Sequence, residues 1–343
     1  MTETFGHTRQ GALAHLYTIC GWGLTAKISD YGATLVRLLV PDQAGCTADV
    51  VLGFSSAAEY EKNSGCVGAT VGRNANRVGN ASFSLHGRRC QLPQNEGKNN
   101  LHSGPDMYYH RLWQVLSLQE NSICLGLDSP DGDQGFPGHA EITVTYTLEE
   151  NGLTIRYHGV CDQDTVFNMT NHSYFNLAGH DRPERAMAQL LTLRANHFTP
   201  ADGESIPTGV LEAVERTPMD FTNSKPLGQD IGADYIPLHL QKGYDHNFAL
   251  NDHNLQTPVA ILQDPISGRT MAVYTDCPGL QLYTANCLPN CAGKDGAQYT
   301  ARCAVCLETQ FFPDSVNKPQ WKSPVVPAGK PYDSVTIYRF LAK

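Results

Sequence analysis

The run Glu141-Ile-Thr-Val-Thr-Tyr-Thr-Leu-Glu-Glu-Asn-Gly-Leu-Thr-Ile-Arg-Tyr-His-Gly-Val-Cys161 decides the fold class. Along residues 141–148, Ile142, Val144, Tyr146 and Leu148 fall on one face, and Glu141, Thr143, Thr145 and Thr147 on the other. That period of two belongs to a half-buried β-strand, whose successive side chains point to opposite sides. Glu149-Glu150-Asn151-Gly152 reverses the chain, and residues 153–161 return with Leu153, Ile155 and Tyr157 apolar. Asn-Gly suits a tight hairpin because both positions tolerate the positive φ that a type I′ turn requires.

Similar pairs recur on either side. Residues 81–85 and 88–92 are joined through His86-Gly87, residues 112–118 and 122–128 near Asn121, and residues 258–263 and 269–275 through Pro265-Ile266-Ser267-Gly268. A last strand spans residues 334–341. Helical periodicity is scarce: residues 55–62 read as a short helix capped by Ser55 or Ser56. No low-complexity linker, charge block or internal repeat divides the chain. The reading is all-β, one domain over residues 1–343, folded as a large antiparallel β-sandwich with long loops and few short helices.

Composition narrows the function. The 343 residues carry a formal net charge of −9 with only 17% charged side chains. Nucleic acid and anionic membrane faces both need clustered Lys and Arg, so neither is an expected partner; a neutral small molecule is. No stretch has the apolar length of a membrane span, and residues 1–16 lack the apolar segment of a signal peptide. The 11 cysteines are scattered rather than arranged as a dense disulfide framework, and the expected location is the cytoplasm.

Two familiar site types are excluded on spacing. Gly65, Gly68 and Gly72 do not match a dinucleotide-binding loop, and no Gly-Lys-Ser/Thr phosphate loop exists. Cys287, Cys291, Cys303 and Cys306 invite a zinc reading, since the last pair is C-x-x-C. However, residues 301–311 read as a strand, where positions three apart point to opposite faces, so packing explains these cysteines better.

Polar residues collect elsewhere. Residues 170–179, Thr-Asn-His-Ser-Tyr-Phe-Asn-Leu-Ala-Gly, follow the apolar Thr165, Val166 and Phe167 and read as the second half of a strand. Alternation then places His172, Tyr174 and Asn176 on one face, an arrangement suited to lining a pocket. Five more segments are polar where a sandwich does not require it: residues 72–78, 99–106, 243–248, 278–286 and 307–317. Taken singly, Arg77 reads as a surface ion pair, His102 as a turn residue, Asp245 as an Asx-turn, Gln281 as an exposed strand residue and Glu308 as a solvated carboxylate.

Together the segments resemble the galactose mutarotase (aldose 1-epimerase) family, in order and over essentially the whole chain. The most specific strings are Thr-Asn-His-Ser-Tyr-Phe-Asn-Leu at 170–177, Gly-Tyr-Asp-His-Asn-Phe at 243–248 and Leu-Glu-Thr-Gln-Phe-Phe-Pro-Asp-Ser-Val-Asn at 307–317. Ala75-Asn76-Arg77 and Asn99-Asn100-Leu101-His102 add weaker support. The resemblance implies a β-supersandwich and an isomerase of carbohydrate metabolism. Such an enzyme interconverts the α and β anomers of free aldohexoses such as D-galactose and D-glucose, by opening and reclosing the pyranose ring. A base takes the anomeric hydroxyl proton while an acid protonates the ring oxygen. No metal or other cofactor is required, because the sugar holds its carbonyl in masked form.

By the same resemblance Glu308 is the proton acceptor, His172 the proton donor and His102 an auxiliary near the ring oxygen. Asn76, Arg77, His102, Tyr174, Asp245 and Gln281 hold the sugar. Strand phase agrees, since Glu308 shares a face with Cys306 and Gln310, opposite Leu307. His172 must carry a proton when substrate binds, and the Glu308 charge is expected to favour that state. The partner is a small aldose, and the chain is expected to act as a monomer or homodimer. The sequence departs from the family after His102, with Ser103-Gly104 and Tyr108-Tyr109-His110-Arg111, and after Asn286, with Cys287-Leu288-Pro289-Asn290-Cys291. Both loops bear on the preferred hexose. Three rival readings share these residues: a hexose-6-phosphate mutarotase using Arg73 and Arg77, a sugar-binding module without turnover, and a glycoside hydrolase using Asp245 and Glu308.

Overall fold

Strand pairing begins from the hairpin of residues 141–161. In the computed structural model, which describes residues 1–62, 65–150 and 152–342, its arms are Ala140–Glu149 and Gly152–Cys161. Their ladder runs from Ala140 opposite Cys161 to Glu149 opposite Gly152. Glu149 and Gly152 thus flank the reversal, and the Asn151 of the expected Asn-Gly turn lies outside the described residues. Ile142, Val144, Tyr146, Leu148, Leu153, Ile155 and Tyr157 are all buried, as alternation requires. Burying each such side chain contributes about 1.5–3 kcal/mol.

The hairpin belongs to a nine-stranded antiparallel sheet. Gln114–Leu118 forms one edge, Pro331–Ala342 is sandwiched between Gly152–Cys161 and Arg269–Thr275, and Lys225–Pro226 forms the other edge. A five-stranded sheet takes Thr2–His7 through Thr47–Asp49 in chain order. A six-stranded sheet runs in the order Tyr174–Phe175, Val305–Gln310, Gly279–Tyr283, Asp245–Ala249, His197–Thr199, Glu212–Ala213. One continuous core joins all three: Ile28 and Leu35, Val144 and Tyr146, and Phe248, Leu280, Leu282, Val305 and Leu307 pack together. The fold is a mostly-strand β-sandwich.

Alternation in the six-stranded sheet is what creates a site. Leu280, Leu282, Val305 and Leu307 turn inward, and the Tyr338 hydroxyl donates to the Leu307 carbonyl at 3.4 Å across the core. Their sequence neighbours Gln281, Tyr283, Cys306 and Glu308 must then face the other way. Pairing of Asn247 with Gln281 and of Gln281 with Glu308 sets these polar residues in a row.

Residues 170–179 differ from expectation. Thr170–Asn171 pairs with Thr70–Val71, whereas Tyr174–Phe175 pairs with Val305–Gln310, so two short strands meet at a bend. The Asn171 Oδ1 makes the bend by accepting the Ser173 backbone N–H at 3.1 Å, a side-chain turn that competes with the ladder. The His172 backbone is held at both ends: its N–H donates to the Ala69 carbonyl and its carbonyl accepts from Gly68 N–H, each at 2.9 Å. Gly68 has φ +69°, and a Cβ there would lie 2.2 Å from the Leu35 carbonyl oxygen, so no other residue fits. The short helix Ala57–Lys62 forms as read, with the Ser56 Oγ accepting the Glu59 N–H. A second, Ile236–Gln241, is too brief to show a period. Among the described residues, no helix is long and apolar enough to cross a membrane.

Candidate active site

A cavity of about 320 Å³ lies over the outward face of the six-stranded sheet. Asn76, Arg77, His102, His172, Tyr174, Asp245, Gln281 and Glu308 all line it, so the residues expected to bind and turn over the sugar reach one place. Asn176, expected on the same face as His172 and Tyr174, does not: it is buried, with Nδ2 donating to the Arg182 and Cys303 carbonyls. The sheet supplies Tyr174, Asp245, Gln281 and Glu308 on adjacent strands; Asn76, Arg77 and His102 arrive from the antiparallel pair Arg77–Val78 and Asn100–Leu101 and its flanks.

His172 and Glu308 face each other, with Nε2 3.7 Å from Oε1. The imidazole stacks on Tyr174, ring centroids 5.1 Å apart and planes 24° from parallel. Its Nδ1 lies 3.5 Å from the Cys306 Sγ, and burial pushes that thiol well above its usual range, so the sulfur stays an uncharged thiol that can accept. A ring proton kept on Nδ1 and directed at the sulfur leaves Nε2, the nitrogen facing Glu308, as the position where a second proton comes and goes. The second carboxylate oxygen, Oε2, is buried with no protein partner, and so is the Gln281 Oε1. Two orphaned acceptors in one pocket fit a ligand rich in hydroxyl donors.

Burial sets the charge states of the pair. Burial pushes the His172 imidazole down to about 4 and the Glu308 carboxyl well above its usual range, with Asp245 adding to the latter and Arg77 opposing it. Burial alone therefore favours the proton on the carboxyl over the ring. Desolvation disfavours either ion, and with no polar partner on Oε2 the carboxylate has little to hold it.

His102 is neutral for the same reason, its ring lowered well below the usual value by burial, by His172 and by Arg77. Its Nδ1 accepts the Asn76 backbone N–H at 3.1 Å, so the ring proton is on Nε2. The His102 and His172 rings stand edge to face at 5.6 Å. Asp245 Oδ1 accepts from Gln281 Nε2 at 2.6 Å. Arg77 gives both Nε and Nη2 to Glu96, at 2.6 and 2.7 Å. The Arg77 backbone carbonyl accepts the Asp314 N–H at 2.8 Å, and Asp314 Oδ1 in turn accepts from Gly79 N–H and Asn317 Nδ2. The Asp and Asn of the 307–317 string thus brace the arginine from behind.

Some sequence expectations fall elsewhere. Arg73 is not in the pocket: it is fully buried, donating to the Pro137 and Gly138 carbonyls, Thr165 Oγ1, Ser129 Oγ and the Tyr108 hydroxyl. Replacing it by Met strands those acceptors, and Arg73→Met is expected to lower unfolding stability by about 3 kcal/mol or more, read as a lower urea midpoint. Residues 103–111 turn away too, with Ser103 buried on Asn74 and Tyr108 in the core. Of the two departing loops, only the one carrying Cys287, Leu288 and Pro289 lines the cavity. The strand expected at 301–311 is shorter, Val305–Gln310, and Cys303 precedes it in a turn. Cys303 and Cys306 are packed in one apolar cluster with Cys291 against it, and Cys287 is exposed; among the described residues, the sulfurs of the four do not gather into a ligand set. Among the described residues, the set with ligand atoms within 4.8 Å of one another is instead His172, Cys306 and Glu308.

Sequence reasoning missed Glu96, which has no periodic signal in its loop, and Tyr283, which alternation from Gln281 would have placed.

Comparison with known proteins agrees with this geometry. The sequence profile of the aldose 1-epimerase family matches residues 15–339. A galactose mutarotase of Mus musculus is 39% identical over 320 residues, covering 92% of this chain and 91% of the relative. An aldose 1-epimerase of Haemophilus influenzae is 37% identical over 323 residues, 93% of each. The crystal structure of an aldose epimerase homologue from C. elegans superposes with a TM-score of 0.88 at 31% identity, covering 96% of this chain and 99% of the other. A family match that spans nearly every strand, on a sandwich whose outer sheet face sets an imidazole against a carboxylate, leaves one assignment: this chain belongs to the aldose 1-epimerase (galactose mutarotase) family of isomerases.

Proposed function

We propose that the chain interconverts the anomers of free, uncharged aldohexoses such as D-galactose and D-glucose, with Glu308 as proton acceptor, His172 as proton donor and His102 as auxiliary. The observation that carries this reading is the 3.7 Å approach of His172 Nε2 to Glu308 Oε1 at the base of the pocket. The anomeric hydroxyl and the ring oxygen are bonded to the same carbon, so two groups this close can serve both at once. Glu308 removes the hydroxyl proton as His172 protonates the ring oxygen and the C1–O5 bond opens. Rotation about C1–C2 presents the other carbonyl face, and the two transfers run backwards.

A single proton shared by the pair is what this exchange needs. Sugar hydroxyls donated to Glu308 Oε2 favour the carboxylate and move that proton onto His172 as the substrate binds. His102 contributes its Nε2 proton toward the ring oxygen. Asn76, Arg77, Asp245 and Gln281 grip hydroxyls, and Tyr174 with Tyr283 supplies the aromatic wall. The site is complete within one chain, so turnover does not depend on whether the protein is a monomer or homodimer. We place it in the cytoplasm as one domain over residues 1–343, needing no cofactor. A sugar phosphate is disfavoured because Arg73 is buried elsewhere and Arg77 is already committed to Glu96.

Polarimetry on freshly dissolved α-D-galactose tests the proposal. Relaxation of the optical rotation well above the spontaneous rate is expected, and an unchanged rate contradicts it. The pH dependence is a second check. Activity needs one proton on the pair, and it is lost when a second binds and no base remains. With the imidazole pushed down to about 4, the acid limb of kcat/KM should fall near pH 4 rather than near the value of an exposed histidine, about 6.5. A limb above pH 6 would show that His172 is charged in the free enzyme.

A further inference from the structure

We infer that Glu96 is a specificity-determining residue, which keeps anionic aldoses out of the pocket by neutralising Arg77 and occupying the side-on fork of its guanidinium. The inference rests on the proposed anomerase reading and extends it to the class of sugar accepted.

Among the residues that line the cavity, Arg77 is the sole lysine or arginine, and it stands with three carboxyl groups, Glu96, Asp245 and Glu308. An unoccupied guanidinium here would be a ready receptor for a carboxylate or phosphate, since its parallel N–H groups match two oxygens of either. Glu96 takes the side-on fork and balances the charge. Its two oxygens take Nε and Nη2 at 2.6 and 2.7 Å, and the arginine side chain is only 13% exposed. An arginine has five donors, so three remain, the end-on Nη1–Nη2 pair among them, but the positive charge that would draw an anion to them is already balanced by Glu96. They are left to bond the hydroxyl oxygens of a neutral sugar.

Charge acts in the same direction. An anionic sugar entering the cavity meets Asp245 on the sheet and Glu96 at the rim, where Glu96 is also part of a neighbouring depression formed with Asn99, Gly203, Glu204 and Ser205. Rejection by like charge is a common way for a site to gain selectivity without tighter contacts to the preferred ligand. Removing one carboxylate several ångströms from a bound anion should relieve repulsion on the order of 10-fold or more in affinity. It also frees the fork to bind.

The test compares D-galactose with D-galacturonate, a sugar of the same ring carrying a carboxylate, using polarimetric kcat and KM of the full chain. Wild type should strongly prefer galactose. Glu96→Gln should narrow that preference by about 10-fold or more, mainly through a lower KM for galacturonate, while the KM for galactose rises because Arg77 loses its anchor. Adding Arg77→Met to Glu96→Gln should abolish the gain. An unchanged preference in Glu96→Gln, or a loss equal for both sugars, overturns the inference and leaves Glu96 a structural brace. Wild type turning over galacturonate as well as galactose also overturns it. A wild-type chain that accelerates neither sugar overturns the functional reading beneath it.

Discussion

Glu308→Gln should lower kcat for anomer interconversion by roughly 1,000-fold or more while leaving the protein folded and no less stable than wild type. Gln matches Glu in shape and can still accept at its oxygen, so sugar binding is largely kept and KM should move little. What is lost is a group able to take the anomeric hydroxyl proton. The expected stability follows from burial: the carboxyl is 3% exposed, its Oε2 has no protein partner and Asp245 lies near enough to raise its pKa further. A neutral amide removes that electrostatic cost, so the melting temperature should hold or rise. Polarimetry and a thermal melt on the same sample check both halves. A rate within 10-fold of wild type would take the role of base away from Glu308.

His172→Asn should be nearly as damaging, on the order of 100- to 10,000-fold in kcat. The backbone bonds to Ala69 and Gly68 do not involve the side chain and survive. The substitution loses the titrating Nε2 and the stack on Tyr174, so a modest fall in stability accompanies the loss of rate. Neighbouring His102 cannot substitute as donor. Its Nδ1 is tied to Asn76, and burial holds the ring neutral. Measuring kcat and KM separately distinguishes the cases: a fall in kcat alone marks a lost proton donor, whereas a rise in KM alone marks a lost sugar contact.

Much of this was legible from residue order because half-buried strands reveal themselves by a period of two. The hairpin of residues 141–161, the inward Leu307 and the outward Glu308 all follow from that one rule. The bend at His172 was hidden because it depends on the Asn171 side chain capturing the Ser173 backbone, a local bond that no hydrophobic pattern reports. The roles of Arg73 and Arg77 were equally indistinguishable in sequence. One is enclosed by carbonyls and hydroxyls in the interior and the other is clamped by a glutamate 19 residues away. The pull of burial on the central pair was not legible, since a neighbouring opposite charge is visible in a motif but the depth of burial around it is not.

The claim beneath the whole account is that His172 and Glu308 act as a unit passing one proton back and forth. The kcat of the double variant Glu308→Gln/His172→Asn, measured beside both single variants by polarimetry at high enzyme concentration, tests it most directly. Two halves of one exchange cannot be lost twice, so the double variant should retain a rate within about 3-fold of the more impaired single. A double variant that falls a further 100-fold or more would mean that the two side chains contribute independently, and that would contradict the shared proton.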